Sequence, residues 1–347
     1  MTIYVMKIDK KAILRRTLDL VGKDGHRIGT QLAAEFGLSR QVANGYLQTL
    51  LKEGLVEAHG STRARVHQLK MLAEAIHAYQ RDGLQEDVVW RRDFAPRVAD
   101  LTENVRDIWH YGVTEMVNNA IDHSGSQAVR VGLRRNGLFT EVWVEDDGEG
   151  IFLKIQRALN LFDPREAILE LAKGKLTTAP EQHSGEGIFF TSRLMDTFDI
   201  HSGRLHFKHD RGVRDVLVER TADVTGTRVT MRLENDSTRT MRSVFDKFAD
   251  SEEYTFDKTV VPMRLAQHEG EKLVSRSQAK RVAHRFERFK HVQLDFDGVA
   301  EIGQAFADEL FRVFAAAHPD VRLTPINTSD AVANMVRRAI GAGGNLN

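Results

Sequence analysis

Three short blocks between Trp109 and Leu194 constrain this chain more than any other part of it. They read Glu115-Met-Val-Asn-Asn119-Ala-Ile-Asp122-His123, Asp146-Asp-Gly148-Glu-Gly150-Ile151 and Ser184-Gly185-Glu-Gly187-Ile188. In the first, Val113, Met116, Val117, Ala120 and Ile121 recur on one face of a helix. Glu115, Asn119 and Asp122 fall at i, i+4 and i+7 and line up along another. A carboxylate and a carboxamide one turn apart can hold Mg²⁺ and orient a water. An amphipathic helix with its polar face in solvent gives the same pattern.

The second block follows Glu141-Val-Trp-Val-Glu145, which alternates as a strand does. Two glycines two apart let the backbone turn sharply and come close to a flat ligand. An Asp at the strand end can accept from an exocyclic amine, although a plain acidic turn has the same composition. The third block, with apolar Ile188, Phe189, Phe190 and Leu194 after it, reads as a glycine turn opening a helix. Such an N-terminus offers free N–H groups and a favourable dipole to phosphates, and an ordinary loop-to-helix turn would look alike.

Order, spacing and residue types together resemble the nucleotide-binding fold shared by DNA gyrase, MutL-type mismatch-repair proteins, histidine kinases and anti-sigma-factor serine kinases, the GHKL superfamily. Glu115…Asn119 is similar to its N box, Asp146-x-Gly148-x-Gly150 to its G1 box and Gly185-x-Gly187 to its G2 box. Gly226-Thr227, leading into Val229-Thr-Met-Arg-Leu233, is similar to the Gly-Thr that opens a late strand there.

The resemblance implies ATP and Mg²⁺ as cofactors. Asn119 would ligate the metal, Glu115 would activate the attacking group as the catalytic base, and Asp146 would read the adenine amine. Gly148 and Gly150 would shape the adenine floor, Gly185 and Gly187 would cradle phosphates, and Thr227 would support the adenine end. Asp122 joins the ATP-binding set by its place on the Glu115–Asn119 face. Phe152 to His183 would be a mobile lid, and in it Lys173 and Lys175 flank Gly174. Either lysine can reach a phosphate, but a solvated charge pair is the expected state of both.

The chain has 347 residues, enough for two or three domains, and its 41% apolar content can bury ordinary cores. Lys+Arg and Asp+Glu balance at 49 each, which gives no global bias toward nucleic acid or membrane. With no cysteine, disulfides, thiolate metal sites and a Cys nucleophile are excluded. No apolar run approaches the roughly 20 residues of a membrane span, and Met1-Thr-Ile-Tyr-Val-Met lacks a signal-like core. The expectation is a cytoplasmic protein without a membrane partner.

Residues 1–72 resemble a winged helix-turn-helix. Helices are predicted over Lys10–Val21, Ile28–Phe36 and Arg40–Glu53, the last capped by Ser39 and burying Val42, Tyr46, Leu47, Leu50 and Leu51. A hairpin follows over Gly54–Ala58 and Arg63–His67. The resemblance implies double-stranded DNA as a partner, with Arg40, Gln41, Asn44 and Gln48 of the third helix facing the major groove and Arg63 and Arg65 on the wing. Residues 1–83 hold six Lys and seven Arg against four Asp and four Glu, the local surplus that phosphate contact needs. Use of the winged helix for protein contact alone stays open.

Leu72–Glu86 reads as helix, giving a helical connector over 73–87, and Arg91-Arg-Asp-Phe as the first strand of the ATP-binding domain, 88–236. His77 is followed by Ala78 and Tyr79, which does not match the phospho-acceptor motif of histidine kinases and argues against a conventional one. Residues 254–341 alternate again: strands at Lys258–Pro262, His291–Phe296 and Val321–Thr324, helices at Ser277–Phe289, Ile302–Ala317 and Ser329–Ile340, and a disordered tail from Gly341. This part resembles STAS-like domains. It departs from those regulated by phosphorylation, since Gly303-Gln304-Ala305 stands where they carry Asp-Ser. Asp295 and Asp297 fit a partner site or solvent-facing strand ends equally.

The predicted fold is multidomain α+β and α/β: a winged helix, then an α/β sandwich with helices on one face of a mixed sheet, then a small STAS-like α/β domain. The expected function is an ATP-binding, ATP-hydrolysing DNA-binding transcription regulator whose nucleotide state controls the winged helix or the STAS-like domain. Two alternatives stand beside it: an anti-sigma-type serine/threonine kinase acting on a separate regulatory protein partner, and a nucleotide-gated dimeric scaffold. A homodimer fits by analogy.

Overall fold

A computed structural model describes residues 9–61, 65–176, 185–212, 215–249, 255–267 and 271–343. The N-terminal unit opens with α1 (Lys10–Lys23), where the Asp9 side chain accepts from the Lys11 N–H. α2 (Ile28–Phe36) stops at Gly37, and α3 (Arg40–Lys52) starts where the Ser39 hydroxyl accepts from the Val42 N–H at 3.2 Å. Ala43, Leu47 and Leu50, at i, i+4 and i+7, form the buried seam of α3. Val42 lies about a quarter turn off that seam and is 49% exposed, which corrects its expected place in the core. β1 (Val56–His59) and β2 (Val66–Leu69) then pair antiparallel.

Lys70 alone separates β2 from β3 (Met71–Gln80). The expected helical connector is therefore a strand. Along it Ala73, Ala75, His77 and Tyr79 turn inward while Leu72, Glu74, Ile76 and Ala78 are exposed, a period of two. Its Ala-, Leu- and Glu-rich composition favours helix, but the whole run pairs with the next strand of the sheet. Arg91–Phe94, expected as a strand, is helical. α4 (Glu86–Val89) continues into a π turn at Trp90–Phe94 and a 3₁₀ turn at Ala95–Arg97, with Asp93 buried against the Tyr79 hydroxyl and Arg92.

The central unit runs α5 (Glu103–His123), β4 (Ala128–Asn136), β5 (Phe139–Asp146), α6 (Ile151–Leu159), α7 (Glu166–Lys173), α8 (Gly187–Leu194), β6 (Thr197–Asp210) and β7 (Val216–Glu234). Its sheet has the order β3-β4-β5-β7-β6. Every neighbouring pair is antiparallel, where a mixed sheet was expected. The reason is topological: β6 runs in the same sense as β5, but β7 folds back between them and pairs with both. Trp109, Val113, Met116 and Val117 of α5 are buried with Val131, Val142, Val144 and Met231 of the sheet. The opposite face carries cross-strand ion pairs, Arg130–Glu145, Arg134–Glu141 and Arg232–Glu141, with Glu141 buried beneath its two arginines.

The C-terminal unit follows α9 (Met241–Phe245). It comprises β8 (Lys258–Pro262), α10 (Arg276–Ala283), β9 (His291–Asp295), α11 (Gln304–Asp308), α12 (Ala315–Ala317) after a π turn, β10 (Arg322–Ile326) and α13 (Asp330–Gly343). The three strands are parallel in the order β10-β9-β8. The helix expected over Ser277–Phe289 breaks at Arg285, which takes φ +68°, and resumes as a 3₁₀ turn at Phe286–Arg288. Ile302 bridges Leu273 instead of starting α11. Gly341 to Gly343, expected in a disordered tail, end α13.

The N-terminal unit has its own core, into which Leu138 of the β4–β5 turn inserts. Arg15 adds an ion pair to Glu234 at 2.7 Å. That contact lies at one end of the β5–β7 pairing, and Asp146 and Thr227 lie at the other, about 25 Å of strand away.

Candidate functional site

A cavity of about 290 Å³ opens beside the C-terminal end of β5 and the middle of β7, where Thr227 and Val229 line it. Its α5 wall is Glu115, Met116, Asn119, Ala120 and His123, and its floor includes Asp146, Gly150 and Thr227. Asp146 Oδ1 accepts from the Gly148 N–H at 2.9 Å, so the acidic turn is closed by its own first residue. Burial raises the Asp146 pKa, and the N–H groups of Gly148 and Thr227 offset this only in part. Gly150 takes φ +88°, and a Cβ there would meet the Ser202 hydroxyl at 2.6 Å. The next N–H, from Ile151, donates to Thr227 Oγ1 at 2.9 Å, joining β7 to the turn after β5.

The facing wall is Leu171 and Leu176 with Gly185, Gly187, Ile188 and Phe189. The Leu176 N–H donates to the Gly185 carbonyl at 3.0 Å. Gly187 opens α8, and a Cβ there would lie 2.1 Å from Glu115 Oε2. The carboxylate and the helix N-terminus thus approach more closely than any side chain at 187 would permit.

Asn119 Nδ2 is buried with no hydrogen-bond partner among the described residues. A buried amide left unpaired is costly, so this atom marks a place where a ligand's polar groups fit. No group of three or more His, Asp or Glu able to hold a metal occurs among the described residues. Mg²⁺ binds through few protein ligands plus substrate phosphates and waters, and in this wall Asn119 Oδ1, not the orphaned Nδ2, is the atom that would join such a shell.

Seven of the expected site residues meet at this cavity: Glu115, Asn119, Asp146, Gly150, Gly185, Gly187 and Thr227. Gly148 stands behind the floor, where a Cβ would strike the Ser124 carbonyl at 1.9 Å. Asp122 is exposed and outside the lining, because in the last turn of α5 the lining face runs through Asn119, Ala120 and His123. Neither lysine is a solvated charge. Lys173 is fully buried, 2.5 Å from Glu170, and Lys175 pairs with Asp257 at 3.1 Å. Residues 177–183 of the expected lid, and Ser184 after it, lie outside the described residues. Lys154, which sequence reasoning missed, lines the cavity and donates to the His123 carbonyl at 2.6 Å. Its signal was its place in the first turn of the helix that Gly150 opens.

On the N-terminal unit, Arg40, Gln41, Asn44 and Gln48 are all exposed along α3, and Arg65 is exposed beyond the hairpin turn. Asn44 Oδ1 presses on Gly29 of α2, 1.9 Å from where a Cβ would be, so its amide leans inward. Arg63 lies outside the described residues. In the C-terminal unit, Asp295 Oδ1 accepts from the Asp297 N–H and from Asn327 Nδ2, each at 3.0 Å, which ties two loops together. Gly303 caps α11 without a side chain.

Comparison with known families puts a class to this architecture. Residues 63–206 match the histidine kinase-like ATPase domain, a kind of domain that implies nucleotide and Mg²⁺ use in general. The match includes β3, so the segment expected to be a connector belongs to the matched part. Residues 278–333 match a STAS-like domain of unknown function. No curated protein matches the chain. No helix among the described residues is long and apolar enough to cross a membrane.

Proposed function

We propose that this protein is an ATP-binding, ATP-hydrolysing regulator that binds double-stranded DNA through residues 9–72 and reports the nucleotide state of its central domain. The observation that carries the reading is the meeting of Glu115, Asn119, Asp146, Gly150, Gly185, Gly187 and Thr227, drawn from four separate stretches of chain, at one cavity. Asp146 supplies a buried acceptor for the adenine amine. Gly185 and Gly187 leave room and N–H groups for phosphates at the start of α8. Mg²⁺ supplies charge neutralisation to the phosphates when bound, and Asn119 is its protein ligand. Glu115 is the group that takes a proton from the attacking nucleophile. The DNA-binding part of the reading rests on three helices and a hairpin in winged-helix order, with Arg40, Gln41 and Gln48 exposed on the third helix.

A kinase acting on a separate protein is the second reading, because a carboxylate such as Glu115 serves a hydroxyl as readily as a water. The chain's own STAS-like domain offers no hydroxyl at Gly303-Gln304, so the acceptor would be a partner. DNA retention from a random duplex library, with Mg·ATP, Mg·ADP and no nucleotide, separates the two when phosphate release is followed in parallel. Enrichment that depends on nucleotide supports the regulator. Turnover with no DNA retained moves the reading to the kinase.

A further inference from the structure

The wall of the cavity that faces α5 is not held by the central domain alone. α7 ends at Lys173, and its last carbonyls need partners. Arg285, 112 residues beyond Lys173 and in the STAS-like unit, pairs the carbonyls that follow the helix: its guanidinium donates to the Gly174 carbonyl at 2.9 Å and to the Lys175 carbonyl, and to Glu170 Oε2 at 2.9 Å. Arg285, Glu170 and Lys173 are all nearly or fully buried. The Lys173 ammonium meets Glu170 Oε1 at 2.5 Å and the His284 carbonyl at 2.9 Å. The Thr259 hydroxyl of β8 donates to the Lys173 carbonyl at 2.7 Å, and Arg288 donates to the Lys175 carbonyl at 3.2 Å. One residue further, Leu176 lines the cavity and fastens the Gly185 carbonyl, two residues before the glycine on which the Glu115 carboxylate rests.

We propose that Arg285 is a positioning residue for the nucleotide site, contributed by the STAS-like domain: by holding Gly174 and Lys175 it sets Leu176, Gly185 and Gly187 against Glu115 and so couples nucleotide affinity to the docking of that domain. The proposal rests on the nucleotide reading above. A charge buried at a domain junction costs free energy unless every partner is in place, so any protein that pulls Arg285 away also loosens the phosphate side of the cavity. By linkage, nucleotide binding strengthens the junction to the same extent.

The test uses the full chain. Mg·ADP and Mg·ATP affinities are measured by calorimetry for the wild type, Arg285→Gln, Arg285→Lys and Arg288→Ala, with hydrogen exchange followed at residues 284–289. The expected result is that Arg285→Gln weakens both nucleotides about 10-fold, within the usual span of coupling energies. Arg285→Lys restores part of this loss, and Mg·ATP slows exchange at 284–289 in the wild type. Arg288 is exposed, so Arg288→Ala carries the test if Arg285→Gln does not fold, with an expected weakening of about 3-fold. If the wild type binds nucleotide while the foldable variants keep its affinity and exchange at 284–289 is indifferent to nucleotide, the positioning role is overturned and the nucleotide reading stands. A wild type that binds no nucleotide overturns both.

Discussion

The Glu115 carboxylate rests on Gly187: a Cβ at 187 would fall 2.1 Å from Glu115 Oε2. The proposed base and the first residue of the phosphate-facing helix are therefore set against each other by the absence of one methyl group. Gly187→Ala forces the flexible end of Glu115 aside while leaving α8 a better helix former. The expected outcome is a loss of turnover of at least about 10-fold with thermal stability within about 1 kcal/mol of wild type. Phosphate release and a melting curve measured on the same sample check it, and unchanged turnover removes the Glu115–Gly187 contact from the mechanism.

Glu115 and Asn119 sit one turn apart on α5 and are expected to fail differently. Glu115→Ala keeps nucleotide affinity and loses about 10²- to 10⁴-fold in turnover, the range for a general base. Asn119→Ala loses Mg²⁺-dependent nucleotide binding by about 10- to 100-fold. Titration of Mg·ATP into each variant, beside single-turnover hydrolysis, gives both quantities. Wild-type turnover by Glu115→Ala would show that another group takes the proton.

Asp146 is a buried acid whose pKa is raised, first by burial, above its usual 3.8. Its ionised form is thus disfavoured in the fold. That penalty is complete above the folded pKa and vanishes below the unfolded one. Asp146→Asn retains an oxygen for the Gly148 N–H and removes the charge, so the nucleotide-free protein should gain about 1 kcal/mol at pH 7. The gain should shrink as pH falls toward 4, and adenine-nucleotide binding should be lost at every pH. A destabilised Asp146→Asn at pH 7 would mean that the ionised carboxylate is better solvated than its burial indicates.

How far the sequence revealed this molecule depends on how local each cause is. Glu115 with Asn119, Asp146 with Gly150, and Gly185 with Gly187 are spaced within a helix turn or a tight loop, so the chemistry of each block is written in adjacent residues. Ser39 as the cap of α3 was legible for the same reason. β3 was misread because its Ala-Glu-Ala-Ile composition speaks for helix, and only its pairing with β4, some 55 residues on, makes it a strand. Lys173 was expected in water because nothing near it in sequence foretells Arg285 or Phe286, whose ring lies 5.3 Å from its ammonium. Buried charge networks between distant segments leave no local signature.

That network carries the last prediction. Burial alone would raise the Glu170 pKa, but Lys173, His284 and Arg285 outweigh it and hold the carboxyl at about 2, below its usual 4.5. A depressed acid stabilises the fold fully above its unfolded pKa, and the contribution is lost as pH falls through the folded value. Glu170→Gln should therefore cost about 3 kcal/mol at pH 7, because it leaves Lys173 and Arg285 buried without their counter-charge. The wild-type advantage should hold down to about pH 4.5 and decline from there toward pH 2. Urea unfolding of both proteins at pH 7, 5 and 3.5 measures the gap; a gap that stays constant to pH 3.5 would mean that folding does not depress the Glu170 pKa.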